Sequence, residues 1–319
     1  MYRIGIDLGG TNIAAGIVNE KFEIVAKASI PTVVTEGGEK VAIDIANLCK
    51  KIVSDNGFTM NEIEAIGIAS PGTANSVDGV VEYANNLPFF KFPIASLVAK
   101  HTGINNVHVE NDANAAAWGE AIAGAAKGAA NSVMVTLGTG VGGGIVINNQ
   151  VYSGFNFAGA ELGHMVIEFN GRQCSCGRRG CWEAYSSATA LIAMTSEKLE
   201  ECKKNGRETL MTAMVAEKGR VTGRTAFDAM RKGDAAAKEV VDVYVEYLAC
   251  GVSNVINVFQ PEVLSIGGGV SGEGQALLDL LKPYVEKETY ANDAIKPTTI
   301  NIAKLGNDAG IVGAATLGM

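Results

Sequence analysis

Apolar residues dominate Tyr2 to Leu8, break at Gly9-Gly10, and return in Ile13 to Val18 and Phe22 to Ala28, with Asn19-Glu20 between those two segments. Segments this short, bounded by glycine and polar turns, predict a three-strand meander with a glycine-rich first turn. Apolar positions at helical spacing over residues 40–56 predict a helix, followed by a strand at Ala65–Ala69 that stops at Ser70-Pro71-Gly72. A helix over 94–101, a strand over 107–109 and an alanine-rich helix over 112–126 continue the pattern. Strand and helix alternate, which is the mark of an α/β fold.

The second half repeats the plan. IGIDLGGTNIAAGIVNE near the start and VMVTLGTGVGGGIVINN in the middle each read as strand, glycine turn, strand, polar turn. Ser132–Leu137 and Gly144–Ile147 are the predicted strands of the second copy, and Asn148-Asn149 is its tight turn. Helices over 183–199, 225–230 and 235–258, strands over 263–266 and 298–303, and a closing helix over 310–317 complete the reading. The expected division is a small lobe of residues 1–120 with 305–319, and a larger lobe of 121–304.

Composition narrows the function classes. With 319 residues, 47% of them hydrophobic and 19% charged, the chain has ample material for a large core. A net charge of −8 opposes binding to a nucleic-acid backbone, so no nucleic-acid partner is expected. Residues 128–160 carry no charged side chain, but glycines and Asn148-Asn149-Gln150 interrupt them, so they read as a buried hairpin and no membrane partner is expected. The first residues enter a strand with no basic stretch followed by an apolar one, so no export signal is expected. Six cysteines, three of them between positions 174 and 181, point to metal binding in a reducing, cytoplasmic setting rather than to a disulfide framework.

Four groups of residues carry candidate chemistry. Asp7, Gly9, Gly10, Thr11 and Asn12 form a turn where missing Cβ atoms let backbone amides approach phosphate, and Asp7 can hold hydrated Mg²⁺; the plainer reading is a hairpin turn with an incidental Asp. Gly138, Thr139, Gly140 and Gly142 form its counterpart, in a run of five glycines over seven positions that weakens a strand unless close backbone approach requires it. Asp112 stands between a strand and a helix, as a carboxylate that takes a substrate proton or as a simple helix cap. His164, Cys174, Cys176 and Cys181 supply one imidazole and three thiolates, the ligand set of a closed structural zinc site.

At these motifs the chain resembles the ROK family of sugar kinases and sugar-responsive repressors, within the duplicated actin-like, hexokinase-like ATPase fold of ribonuclease H-like lobes. Asp7 to Thr11 and Leu137 to Gly144 match the family's phosphate motifs, Glu110 to Glu120 its catalytic segment, and Gly177 to Glu183 its zinc signature. The resemblance implies Asp112 as general base, with Gly72, Asn86, Asn111, Asp112, Glu161, His164 and Glu183 at the sugar. It implies ATP held also by Gly268 and Gly269, near which Gly306-Asn307-Asp308 fall, with catalytic Mg²⁺ and a structural Zn²⁺ on His164, Cys174, Cys176 and Cys181. It further implies ATP-dependent phosphorylation of the 6-hydroxyl of a hexose, and a homodimer or homotetramer. Gly180 to Tyr185 are closest to glucokinase-like members, which favours glucose over fructose, mannose, allose, N-acetylglucosamine or N-acetylmannosamine. A sugar-sensing repressor is the other reading, and the start directly on the first strand argues against it. One departure stands out: Ala160 occupies a position where the family usually has glycine.

Overall fold

A computed structural model describes residues 1–290 and 293–319. The first sheet is built from β1 (Tyr2–Leu8), β2 (Asn12–Val18), β3 (Ile24–Pro31), β4 (Ile63–Ser70) and, after a small three-stranded sheet of β5 (Thr73–Asn75), β6 (Val80–Tyr83) and β7 (Phe90–Phe92), β8 (Val107–Asn111). Its order is β3-β2-β1-β4-β8, with Gly5 opposite both Gly16 on antiparallel β2 and Gly67 on parallel β4. The third strand starts two residues later than Phe22 because Phe22 sits in the left-handed region at φ 64° and belongs to the turn.

Alternation along β1 decides the layers. Ile4, Ile6 and Leu8 point into a core shared with Val41, Ile45, Leu48 and Ile52 of helix α1 (Gly38–Asp55) and with Ile94 and Val98 of α2 (Ile94–Thr102). Gly5 and Asp7 therefore face the opposite side of the sheet. Helix α3 (Asp112–Ala123) ends three residues earlier than its alanine-rich sequence suggests, because the side chain of Glu120 takes the amide of Ala125 at 2.6 Å.

The second sheet comprises β9 (Ser132–Leu137), β10 (Val141–Ile147), β11 (Gln150–Val151), β12 (Val263–Gly267) and β13 (Thr299–Ile302), in the order β11-β10-β9-β12-β13. Third, second, first, fourth, fifth is the order in both sheets, so the repeated sequence plan is a repeated topology. Asn148 and Asn149 both adopt positive φ (51° and 59°), the two-residue turn that matches strand twist. Between β11 and β13 lie α4 (Glu183–Ser186), α5 (Ala188–Lys204), α6 (Leu210–Lys218), α7 (Thr225–Arg231), α8 (Ala235–Phe259) and α9 (Gln275–Glu288). The single helix expected over 183–199 is two, since Ser187 is extended and its side chain caps α5 by accepting the Ala190 amide at 3.0 Å.

The last helix, α10 (Ala309–Ala315), covers the sheet face that carries Gly5 and Asp7. It lies backbone to backbone: a Cβ on Gly5 would fall 1.8 Å from the Ile311 carbonyl, one on Gly67 1.7 Å from that of Ala314, and one on Gly313 1.7 Å from that of Ala115 on α3. Only glycine permits such approach. Packing divides the chain into two compact units, Met1–Met134 with Gly144–Ala160 and Ala303–Met319, and Val135–Gly143 with Glu161–Ile302. The 144–160 hairpin stays with the first unit, where a Cβ on Gly144 would meet the Ala117 side chain at 2.5 Å. Among the described residues no helix is long and apolar enough to cross a membrane.

Candidate active site

In the first unit the glycine turn after β1 is closed by the Gly9 amide on the Asn12 carbonyl (2.9 Å) and braced by Thr32, whose hydroxyl donates to the Gly9 carbonyl at 2.7 Å and whose amide donates to that of Thr11 at 3.0 Å. Thr11 and Asn12 are exposed on it. Asn86 stands beside the turn, 3.3 Å from where a Cβ on Gly10 would lie. Asp7, at the end of β1, has its carboxyl pushed above the usual range, first by burial and then by the charge of Asp112, with Lys27 acting in the opposite direction. The start of α10 closes over it, for a Cβ on Gly310 would sit 3.2 Å from the Asp7 carboxyl carbon.

Helix α3 answers which residue caps it. The cap is Asn111, whose Oδ1 accepts from the amides of Ala113 (2.9 Å) and Asn114 (3.2 Å), while its Nδ2 donates to the Gly72 carbonyl at 3.0 Å. Gly72 has φ 91°, and a Cβ there would strike the Tyr83 carbonyl at 2.1 Å, so this corner demands glycine. Asp112, the first helical residue, accepts the Ala113 amide at 2.9 Å, and its carboxyl is raised chiefly by burial. Behind it Glu110 receives the Asn111 amide (2.8 Å) and the Asn114 side chain (3.0 Å). At the other end of α3, fully buried Glu120 accepts the amides of Ala125, Lys304 and Leu305 at 2.6, 3.1 and 2.7 Å, latching the helix to the segment that leads into α10.

In the second unit the turn between β9 and β10 is closed by the Gly138 amide on the Gly140 carbonyl at 3.0 Å and held by Thr189, whose hydroxyl donates to the Thr139 carbonyl at 2.8 Å. Glu183, opening α4, lies against this turn: its Oε2 accepts the Val141 amide at 3.1 Å and its Oε1 the Ser175 hydroxyl at 3.0 Å. A Cβ on Gly140 would collide with the Glu183 carboxylate at 2.2 Å. Gly268, at φ 81°, packs against the Leu137 backbone, whereas Gly269 faces open space. Gly142 lies within β10, and Glu161 is exposed on the loop before a 3₁₀ turn over Leu162–His164. Ala160, just ahead of Glu161, has φ 65°. That left-handed backbone is the reason a glycine suits this position.

The donor set of that loop fits a tetrahedral ion. The ligand atoms of His164, Cys174, Cys176 and Cys181 all lie within 4.8 Å of one another, with His164 Nδ1 3.8 Å from Cys174 Sγ and Cys176 Sγ 3.7 Å from Cys181 Sγ. A tetrahedron with zinc–sulfur distances of about 2.3 Å has edges of about 3.8 Å. Below it, buried Trp182 lies flat on α8, where a Cβ on Gly251 would come 1.9 Å from the indole, and donates to the Tyr247 carbonyl at 3.1 Å. Tyr185 takes the Arg172 amide at 2.5 Å and packs on the Tyr247 ring at 4.3 Å.

Asp7, Gly9, Gly10, Thr11, Asn12, Gly72, Asn86, Asn111 and Asp112, with the Gly306-Asn307-Asp308 segment, thus belong to the first unit, and Gly138, Thr139, Gly140, Gly142, Glu161, His164, Cys174, Cys176, Cys181, Glu183, Gly268 and Gly269 to the second. Glu120, Thr32, Ser175 and Thr189 escaped the sequence reading. Glu120, Thr32 and Thr189 act through partners distant in the chain, which no local spacing announces, and Ser175 reaches Glu183 only because the loop between them folds back.

Comparison with known proteins places this architecture. Residues 3–319 match the model of the ROK family. The chain is 38% identical over 320 residues to a glucokinase of Thermotoga maritima, covering 98% of this chain and 96% of that one. It is 37% identical over 316 residues to a glucokinase of Halalkalibacterium halodurans, covering 98% and 94%. Among solved structures it superposes on a ROK family glucokinase of Streptomyces griseus in complex with glucose and AMPPNP, with TM-score 0.79, 32% identity and 99% of both chains covered. The duplicated α/β architecture is the actin-like ATPase fold, and this chain belongs to the ROK family.

Proposed function

We propose that this chain transfers the γ-phosphoryl group of Mg-ATP to the 6-hydroxyl of glucose, giving glucose 6-phosphate and ADP. The observation that carries the reading is Asp112, a carboxylate at a helix start whose capping is done by its neighbour and whose proton affinity burial has raised. Likeness to the Thermotoga maritima and Streptomyces griseus glucokinases supports glucose as the acceptor.

In this mechanism Asp112 accepts the 6-hydroxyl proton as that oxygen attacks the γ-phosphorus, and the bond to the bridging oxygen breaks with its electron pair leaving on ADP. Gly72, Asn86, Asn111, Glu161, His164 and Glu183 hold the sugar. His164 turns Nδ1 toward Cys174, which leaves Nε2 for a hydroxyl. Asp7, Gly9, Gly10, Thr11 and Asn12, with Gly138, Thr139, Gly140, Gly142, Gly268 and Gly269, bind the nucleotide through backbone amides and hydroxyls. Asp7 would hold Mg²⁺, consistent with its burial and with the Asp112 charge that Lys27 opposes; bound with ATP, the ion would neutralise phosphate charge. His164, Cys174, Cys176 and Cys181 would hold Zn²⁺ with all four positions filled, so it shapes the loop and supplies no reagent. A cytoplasmic dimer or tetramer belongs to the same reading.

A coupled ADP-release assay over glucose, fructose, mannose, allose, N-acetylglucosamine and N-acetylmannosamine tests it. Glucose should give the highest kcat/KM. Preference for another hexose overturns the acceptor, and ADP release indifferent to every sugar overturns the kinase.

A further inference from the structure

The first unit contains a cavity of about 230 Å³, none of whose walls enters the proposed reaction. Glu110, Trp118, Ser76, Ser153, Asn149 and Gln150 line it. We propose that it binds a small organic ammonium ion.

Charge points to such a ligand. Glu110 is only 3% exposed, and its two hydrogen bonds both fall on Oε1, leaving Oε2 without a partner among the described residues. A buried carboxylate is expensive to keep unless it is paired. No lysine or arginine lines the cavity, so a cation that pairs with Glu110 comes from outside. His108, the other titratable side chain on the wall, is held toward its neutral form by burial and by Arg3, so it adds no positive charge. Burial raises the Glu110 carboxyl, as expected of a carboxylate lacking its counter-ion. The wall also offers an indole, whose face attracts a cation, and hydroxyl and amide groups that accept N–H. A volume of about 230 Å³ is the space of roughly eight waters at ~30 Å³ each, which suits a ligand of a few heavy atoms.

The site is coupled to the helix that carries Asp112. Glu110 Oε1 fixes the Asn111 amide and the Asn114 side chain in the first turn of α3, so a cation on Oε2 orders the carboxylate on which that turn hangs. The proposal is independent of the sugar-kinase reading.

The two tryptophans supply the test, since Trp118 lines the cavity and Trp182 is buried in the second unit. Ethanolammonium chloride is titrated into the full chain at ionic strength fixed with sodium chloride, and tryptophan emission is followed. A saturable change is expected, with tetramethylammonium, which has no N–H, binding roughly tenfold or more weakly. Glu110→Gln should abolish the change. Ser153→Leu, which fills the cavity from the hairpin side and keeps the carboxylate, should abolish it as well. A wild-type response that is absent or non-saturating, or one preserved in either folded variant, overturns the proposal.

Discussion

Asn111 caps helix α3, its Oδ1 2.9 Å from the Ala113 amide, and so Asp112 beside it enters the helix with a carboxylate free of sole capping duty. In the proposed mechanism two adjacent residues thus divide structural and chemical work. Asp112→Asn keeps the shape and removes the base, so kcat should fall by about 10²–10⁴ with the sugar KM nearly unchanged. Steady-state kinetics of the variant settle this, and near-wild-type turnover would remove Asp112 from the mechanism. Because burial raises the Asp112 carboxyl, the acid limb of the wild-type kcat/KM profile should lie above the pH of an ordinary aspartate, about 4.

The same raised carboxyl implies a stability trade. A carboxyl that holds its proton more tightly folded than unfolded stabilises the fold when protonated, and that contribution is lost as pH rises through the folded value. Asp112→Asn should therefore melt above wild type at pH 7, and the gap should close as the pH falls below about 4 and both states take up the proton. Melting curves across that range check it. An asparagine variant less stable at pH 7 would contradict the burial argument.

On the proposed reading, zinc removal should act on the loop from His164 to Glu183, whose four candidate ligand atoms lie within 4.8 Å of one another. Incubation with a strong chelator is expected to lower the melting temperature and raise the sugar KM more than it lowers kcat. Elemental analysis of the purified chain should find about one zinc per chain. A metal-free preparation with full sugar affinity and unchanged melting would dismiss the staple.

Glu120 should matter for stability although it touches no proposed substrate group. It satisfies three backbone amides, two of them more than 180 positions away in the chain. Glu120→Ala would strand these part-buried donors and is expected to cost about 3–5 kcal/mol, read from the urea midpoint. A loss of less than about 1 kcal/mol would mean water replaces the latch without penalty.

Ala160 offers the opposite test. An L-residue in the left-handed region loses about 1–2 kcal/mol, whereas glycine gives back roughly 0.5–1 kcal/mol through its freer unfolded chain. Ala160→Gly should thus gain about 0.5–1 kcal/mol in reversible melts. Destabilisation would show that the methyl group packs to advantage.

The regular elements that the sequence reveals are those long enough to show a period. β1 and β2 are glycine-bounded strands of seven residues each, and α8 carries its apolar stripe over twenty-five. β5 and β7 span three residues each, too few for alternation to register. α9 hides behind Pro283, which ordinarily argues against a helix and is tolerated here inside one. At the site, glycine turns and cysteine spacing are local patterns and were legible. Which of Asn111 and Asp112 caps α3 is not, because both residue types cap well and only the backbone conformation chooses. Glu120 reads as one more acidic residue on an alanine helix until the chain returns at Lys304.

Helix α10 meets β1, β4 and α3 through glycines, with main chain against main chain. No side chain there can swing aside to absorb a misfit. β1 is thus completed by residues made some three hundred codons after it, and the first unit stays partly assembled during synthesis until that late segment arrives to seal its core.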